Sequence, residues 1–402
     1  MKVLHVNEHL ALKGGVETYL FSLIPKLDQK GVQSVVAYGQ GDPDVYPSAH
    51  RVPAISQAGF QHQRAARNQM SAVLKRTRPT LVHVHNVQNV GIIKASLDYG
   101  PTILTTHDHR WACPANTFYY KRTREVCDRT CGLGCFTTTL TKHCLTPRPH
   151  YALYFYYRVK WAERNADRFS HVITPSSATK QRHVRGGMPS GRFTPVPYFC
   201  SITPRVVPRS VPDPPVVTYI GRVADNKGYE FFLEALGQLA GNVQGRVVGA
   251  ASDEAKDTVR ALAERHGCAD RLVIQGWAER DDIPTILDQT SVLVFPSLCV
   301  ETLGIVGIEA LSQGVPVVAS DVGGVSEWCL DGTTGFVVPP KDAAAIADRL
   351  QHLIADDERL RAFGQRGIDL IRTKFLPEHH VEELLDIYRQ VQPENASIDA
   401  IK

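Results

Sequence analysis

The stretch SVLVFPSLCVETLGIVGIEALSQGVPVVA, residues 291–319, decides the fold of this 402-residue chain. It opens with an apolar run at 291–295, passes through a loop into a helical pattern at 304–313, and ends in a second apolar run at 316–319. Two short strands joined by a helix predict a βαβ unit, whose strands lie parallel in one sheet.

The same alternation of strand-like and helix-like segments continues through both halves of the chain. Residues 201–215 interrupt it with five prolines and no periodicity, which is typical of an extended linker. We therefore predict an α/β protein with two doubly wound, Rossmann-like domains facing each other across a cleft, at residues 1–200 and 201–375. Residues 376–402 read as one amphipathic helix followed by a polar tail.

Composition narrows the class of protein. The chain is 43% hydrophobic and 21% charged, as globular proteins are, and its apolar runs are far shorter than the roughly 20 residues that span a bilayer. The strand-like run Lys2–Val6 follows Met1 directly and leaves no room for a secretion signal, so we expect a cytoplasmic protein.

The charge is distributed unevenly. Residues 1–200 carry 26 Lys and Arg against 11 Asp and Glu, whereas the remainder carries 19 against 30. A basic first half is suited to an anionic membrane surface or an anionic acceptor, and solvated helix faces are an equally weighted explanation. The segment 61–78 holds five cations and no acid, so we expect a peripheral membrane contact there.

Two motifs of the second half lie where strands end. Arg222 and Lys227 bracket a turn after the strand at 216–220, where two cations suit a diphosphate leaving group. Glu301 lies in the loop before the helix at 304–313, and Glu309 lies inside that helix. Carboxylates accept hydrogen bonds from sugar and ribose hydroxyls, and the helix start offers unpaired N–H groups.

Two motifs of the first half are weaker alone. Gly14 and Gly15 open a helix after the first strand, which fits either a phosphate-binding turn or a simple tight turn. Asp42-Pro43-Asp44 matches the Asp-x-Asp pattern of metal-dependent transferases, but its neighbours favour a surface turn.

Taken in order, these motifs resemble the retaining glycosyltransferases of family 4, over nearly the whole chain. The resemblance also covers the strand ending in Thr105-Thr106-His107-Asp108 and the glycine-containing stretches 314–319 and 321–335. It implies the glycosyltransferase B-type fold and a hexosyltransferase activity. A sugar would move from a nucleotide diphosphate donor to an unknown acceptor in the synthesis of a cell-surface polysaccharide, a glycolipid or a secondary metabolite.

The resemblance also implies roles for residues. Arg222 and Lys227 would bind the diphosphate, so that no catalytic metal is needed, and Glu309 would bind the ribose. His107 would lie beside the reacting centre, and the last helix would return to the first domain. The catalytic residues implied are His107, Arg222, Lys227 and Glu301. The donor-binding residues implied are Gly14, Gly15, Arg222, Lys227, Glu301, Leu303, Gly304, Ile305 and Glu309.

A cysteine-rich insertion, residues 108–150, departs from the family pattern. We call Cys113, Cys127, Cys131, Cys135 and Cys144 the cysteine cluster. Four thiolates can close a structural zinc site, and we expect Cys113, Cys127, Cys131 and Cys135 to do so, with Cys144 as the alternative ligand. Reduced or redox-active thiols and an iron–sulfur cluster are the other interpretations.

Two other classes of function stay open at this point. A nucleotide-sugar epimerase or isomerase on the same fold would act on the donor alone. A zinc-containing nucleic-acid-binding protein would use the basic half, but only Tyr119-Tyr120-Lys121-Arg122 interleaves cations with aromatic residues, so we expect no nucleic-acid partner.

Overall fold

The computed structural model describes residues 1–11, 14–208 and 210–392. Lys13, which precedes the predicted glycine turn, and residues 393–402 of the predicted tail lie outside the described residues. Strands and helices alternate along the described chain, as the sequence predicts. The α/β fold class is therefore confirmed.

The elements are numbered along the chain. The strands are β1 (Lys2–Leu10), β2 (Gln33–Gly41), β3 (Ala49–Arg51), β4 (Leu81–Val84), β5 (Thr102–Thr105), β6 (Tyr119–Tyr120), β7 (Glu125–Val126), β8 (His171–Thr174), β9 (Phe193–Pro195), β10 (Val216–Ile220), β11 (Gln244–Val248), β12 (Leu272–Gln275), β13 (Val292–Phe295), β14 (Val317–Ser320) and β15 (Gly335–Val338). The helices are α1 (Gly15–Gln29), α2 (Gln63–Thr77), α3 (Val90–Tyr99), α4 (Gly134–Lys142), α5 (Pro149–Asn165), α6 (Ser177–Arg185), α7 (Tyr229–Gln238), α8 (Asp253–Arg265), α9 (Ile283–Asp288), α10 (Ile305–Ser312), α11 (Ala343–Ile354), α12 (Asp357–Lys374) and α13 (Pro377–Val391).

The chain forms two compact units. The first unit comprises Met1–Phe118, Asp128–Phe199 and the segment from Pro377, and the second comprises Tyr119–Cys127 and Cys200–Leu376. Helix α13 packs against α1 within the first unit, where Tyr19 and His380 share a hydrogen bond of 2.8 Å. The C-terminal helix therefore belongs with the N-terminal sheet.

Each unit is built on a parallel sheet. The first sheet has the strand order β3-β2-β1-β4-β5-β8-β9 and the second has β12-β11-β10-β13-β14-β15. In both orders the strand sequence reverses beside the first strand of the unit, between β1 and β4 and between β10 and β13. The loops that leave the two strands at such a switch point diverge, and ligands of open α/β sheets bind in the crevice between them.

Each sheet is apolar on its strands and covered by helices. Val3, Leu4 and Val6 of β1 are fully buried. In β13, Leu293 is fully buried and Val294 is 1% exposed. Near-continuous apolar strands are expected when helices cover both faces of a parallel sheet. Among the described residues, no helix is both long enough and apolar enough to cross a bilayer.

The cysteine-rich insertion differs from the expectation that all of it belongs to the first unit. Its β6–β7 hairpin groups with the second unit, because Tyr119 donates a hydrogen bond of 3.0 Å to the carbonyl of Asp225 and packs against Leu298. Arg124 of the hairpin also pairs with Glu230. The remainder of the insertion stays with the first unit.

Candidate functional site

The switch point of the second unit places three predicted residues beside one another. Arg222 and Lys227 lie in the loop after β10, and Glu301 follows β13, the neighbouring parallel strand. Because parallel strands end at the same edge of a sheet, both loops meet at the crevice where a ligand is expected.

The two loops are tied together by backbone contacts. The amide of Leu298 donates to the carbonyl of Asn226 at 3.0 Å, and the hydroxyl oxygen of Ser297 lies 3.3 Å from the same carbonyl oxygen. Gly228 has a positive φ of 67°, and a Cβ at that position would lie 1.9 Å from the carbonyl oxygen of Pro296. Only glycine permits this approach, so the glycine after Lys227 fixes where the lysine stands.

Lys227 and Glu301 form an ion pair, with 2.6 Å between Nζ and Oε1. The hydroxyl of Ser297 also donates to Oε1 of Glu301. Burial alone would raise the pKa of Glu301, but the charge and hydrogen bond of Lys227 outweigh burial and hold that pKa below its usual range. The same pairing holds the pKa of Lys227 above its usual value against the effect of burial. Both groups are therefore charged at neutral pH.

Glu309 lies inside α10 and is 4% exposed. Burial raises the pKa of its carboxyl, and the charge of Arg280 opposes that rise. Arg280 donates to Oε1 of Glu309 at 2.8 Å, which leaves the second carboxylate oxygen without a hydrogen bond among the described residues. No motif around Arg280 signals this role, and sequence reasoning missed it.

The start of α10 carries the predicted amides. Gly304 precedes the helix with a φ of 94°, and the indole of Trp328 donates to the carbonyl of Leu303 at 2.6 Å. The first N–H groups of a helix, here from Ile305 onward, have no partner within it and suit an anion or a hydroxyl. Leu303, Gly304 and Ile305 thus occupy the loop-to-helix turn that follows Glu301.

The first unit presents the glycine turn after β1. Gly14 caps α1 with a φ of 105°, and both Gly14 and Gly15 are exposed. Glu17 of the first turn is buried, which raises the pKa of its carboxyl, and it accepts a weak hydrogen bond of 3.4 Å from Asn7.

Asp42 and Asp44 form a surface turn, as predicted, in which Oδ1 of Asp42 accepts from the amide of Asp44 at 2.9 Å.

Both ring nitrogens of His107 are engaged within the first unit. Nε2 shares a hydrogen bond of 3.0 Å with Nδ1 of His85, and Nδ1 shares one of 2.6 Å with the hydroxyl of Tyr198. His85 is bonded in turn to His5 at 3.0 Å. A neutral imidazole has one N–H and one lone pair, so His107 uses both on its neighbours.

We call His5, His83, His85, His107 and His380 the histidine cluster. All five are buried, and burial lowers the pKa of His5 and of His107 to about 3 and that of His380 to about 4. Nε2 of His5 has no hydrogen-bond partner among the described residues. Sequence reasoning singled out only His107, although the His-x-His spacing of 83 and 85 places both on one face of a strand.

The cysteine cluster is only partly gathered. Cys131 donates a hydrogen bond to Cys135, which lowers the pKa of Cys135 to about 6, while that bond and burial raise the pKa of Cys131. Cys127 belongs to the second unit and donates to the hydroxyl of Tyr120 at 2.9 Å. A metal ion needs several ligand atoms close together. Among the His, Cys, Asp and Glu side chains of the described residues, only His5, His83 and His85 bring three potential ligand atoms within 4.8 Å of one another.

A sheet switch point flanked by a partly buried ion pair and a helix start is typical of α/β proteins that bind anionic ligands. Comparison with known sequences gives the family. The family described as Glycosyltransferase Family 4 matches residues 13–200, and the one described as Glycosyl transferases group 1 matches residues 204–369. The chain belongs to glycosyltransferase family 4.

Relatives of known name are similar over part of the chain. Alpha-D-kanosaminyltransferase of Streptomyces kanamyceticus is 30% identical over 58% of this chain and 64% of its own length. Alpha-maltose-1-phosphate synthase of Mycolicibacterium smegmatis is 34% identical over 44% of this chain and 48% of its own length. The matches thus span about half to two thirds of these relatives. Neither name describes an epimerase.

Solved structures agree on the fold. Sucrose-phosphate synthase from Thermosynechococcus elongatus superposes with a TM-score of 0.72 at 20% identity, over 97% of this chain and 98% of that one. Anabaena HepE in complex with UDP and glucose superposes with a TM-score of 0.71 at 17% identity, over 97% and 99%. At such identities the likeness concerns the fold alone. It confirms the two-domain, B-type α/β fold predicted from the sequence.

Proposed function

We propose that this protein is a retaining glycosyltransferase, which moves a hexose from a nucleotide diphosphate sugar to an acceptor without a catalytic metal. The observation that carries the proposal is the partly buried ion pair of Lys227 and Glu301 at the β10–β13 switch point. The names of the transferase relatives and the UDP in the HepE structure support a nucleotide-sugar donor.

Lys227 and Arg222 suit the leaving diphosphate. An ammonium has three N–H donors, and one of them reaches Glu301, so others are left for phosphate oxygens. Arg222 is exposed beside the same crevice and adds a second cation. Negative charge on the diphosphate grows as the glycosidic bond breaks, so fixed cations stabilise the transition state more than the ground state.

The two carboxylates would have different partners. Glu301 is ionised and held by Lys227, so it can accept hydrogen bonds from hydroxyls of the transferred sugar, with the amides after Leu303 nearby. Glu309 keeps one oxygen unused, which suits a ribose hydroxyl. Arg280, held on the first oxygen, would orient the carboxylate for that contact.

Retention follows if the acceptor attacks from the face that the diphosphate leaves. The bond from the anomeric carbon to the diphosphate oxygen breaks, and the bond to the acceptor oxygen forms on the same face. The acceptor proton passes to the leaving diphosphate, so the reaction needs no protein nucleophile. We propose that the first unit binds the acceptor. His107, whose two ring nitrogens are both hydrogen-bonded, would be a neutral side chain of fixed orientation in this unit, and Gly14 and Gly15 would belong to the same side of the reacting centre.

The first unit would approach an anionic membrane or a lipid-linked acceptor. Met70, Val73 and Leu74 of α2 are buried, so only the charged face of this helix is offered to a partner. Arg64 is exposed, whereas Arg67 is paired with Asp98 at 2.6 Å. We also propose that the cysteine cluster binds a structural zinc ion and that the protein is located in the cytoplasm.

A transfer assay tests the activity. The enzyme is incubated with UDP-glucose, GDP-mannose, ADP-glucose and dTDP-glucose in turn, with and without a set of alkyl glycoside acceptors. We expect at least one donor to release its nucleoside diphosphate, with a product whose anomeric proton coupling in NMR matches that of the donor. An inverted product would refute retention. A donor that is epimerised in the absence of acceptor would refute transfer.

A further inference from the structure

The surface of the cysteine-rich insertion carries large apolar side chains that face solvent. Leu133, at the start of α4, is 75% exposed, and Leu140 in the same helix is 67% exposed. Seven residues are almost two full helical turns, so these two leucines lie on one face. Leu153 of α5 is 51% exposed. Exposed leucines in a group, unlike single ones, mark an interaction surface.

Aromatic contacts join these leucines into one surface of the first unit. Phe136, one turn from Leu133, packs on Tyr156 of α5 with ring centroids 5.0 Å apart. Tyr157, one turn from Leu153, packs on Phe60 at 5.1 Å. Phe60 is itself 44% exposed and precedes the basic helix α2. We call the surface formed by these side chains the apolar stripe. Its members are Phe60, Leu133, Phe136, Leu140, Leu153, Tyr156 and Tyr157.

The charged residues around the apolar stripe are predominantly basic. The chain contains no Asp or Glu from residue 129 to residue 162. In this stretch, Lys142 is the last residue of α4 and Arg148 directly precedes α5. Arg64 follows Phe60 and is exposed. Asp98, the one acid of α3, pairs with Arg168 and Arg67, and these arginines hold its pKa below the usual range. The stripe is therefore bordered by cations.

We propose that the apolar stripe inserts into the headgroup region of an anionic lipid bilayer. Leucines and aromatic rings enter the boundary between headgroups and acyl chains, and bordering cations bind anionic headgroups. Two copies of this surface would bring like charges together, which disfavours a dimer as the occupant. The inference extends the membrane contact proposed for α2, from charge alone to a surface that also buries apolar side chains.

Liposome sedimentation of the full-length protein tests the inference. Vesicles of phosphatidylcholine alone and with phosphatidylglycerol are used at low and high salt, without a nucleotide sugar. The triple variant Leu133→Ser, Leu140→Ser and Leu153→Ser is compared with the control Val206→Ser and Val207→Ser. Both control valines are exposed, at 71% and 65%, in the second unit. Since the leucines are exposed, the variants are expected to fold like the wild type, which circular dichroism checks.

We expect the triple variant to bind anionic vesicles at least about tenfold more weakly than the wild type and the control, because each leucine loses apolar burial. Wild-type binding should fall with salt but not vanish, since insertion is not screened. Equal binding by all three proteins that disappears at high salt would overturn the insertion and leave α2 charge as the contact. No binding by any protein, or self-association through the stripe in ultracentrifugation, would overturn it as well. Donor binding, measured separately, tests the proposed transferase activity independently.

Discussion

Acidification should destabilise the first unit through the histidine cluster. In the folded protein, burial holds the pKa of His5 and His107 at about 3 and that of His380 at about 4, so all three are neutral down to about those values. In the unfolded chain each titrates near its usual value of about 6.5. The unfolded state therefore binds more protons between these limits, and stability falls as pH falls below about 6.5.

The magnitude follows from the same values. Lowering the pH from about 7.5 to about 5.5 favours the unfolded state by about 1.4 kcal/mol for each such histidine, hence about 4 kcal/mol for the three. His83 and His85, whose pKa values burial also lowers, act in the same direction. Asp108 does not offset this, because the charge of Arg110 keeps its pKa at about 2 despite burial, so it stays ionised over this range.

Urea unfolding at the two pH values measures the effect. Fluorescence of Trp111 and Trp161 reports on the first unit if Trp277 and Trp328, which belong to the second, are replaced by Phe. The variant His380→Gln should lose about 1.4 kcal/mol of the pH dependence, whatever its stability at pH 7.5. His143→Gln, which changes a histidine at an exposed position outside the histidine cluster, is the control. A wild type equally stable at both pH values, or equal pH dependence in the two variants, would refute the reasoning.

Three further predictions concern chemistry. Lys227→Ala and Arg222→Ala should each lower kcat at saturating donor by about 10²-fold or more, since each removes a charge that stabilises the transition state; near-normal turnover in both would contradict their role. Glu309→Gln should mainly raise the donor KM, whereas Glu301→Gln should mainly lower kcat, and the reverse pattern would mean that their roles are exchanged. Protein purified without added metal should contain about one zinc per chain. Zinc far below that, with all thiols of the cysteine cluster titratable in the folded protein, would contradict the zinc site.

Much of the fold could be predicted because each strand is short, apolar and followed by a helical pattern. Strand β10 occurs at the predicted bounds, 216–220, and helix α10 begins one residue after the predicted start at 304. Helix α12 and strand β15, which lie beyond the last predicted strand, are not among the predicted elements. Strand β15 has four residues among turn-forming neighbours, so local periodicity hardly marks it, whereas α12 carries a clear amphipathic pattern that could have been found.

The candidate site was predictable only where a local motif exists. Lys227 and Glu301 stand out because each follows a strand in a distinctive turn, and the structure pairs them over 74 residues. Arg280 meets Glu309 across 29 residues of chain with no motif of its own. The β6–β7 hairpin was assigned to the wrong unit because its partners, such as Asp225, lie more than 100 residues away. Such pairings depend on tertiary packing.

Calorimetric titration of the wild type with UDP, GDP, ADP and dTDP tests the central claim, which is a diphosphate site at the β10–β13 switch point. Lys227→Ala and Lys256→Ala are titrated in parallel, since Lys256 also pairs with an acid, Asp253, but on the surface of α8. We predict that at least one nucleotide binds to the wild type and to Lys256→Ala, and at least about tenfold more weakly to Lys227→Ala. Equal affinity in the three proteins, or no binding of any nucleotide to the wild type, would contradict the account.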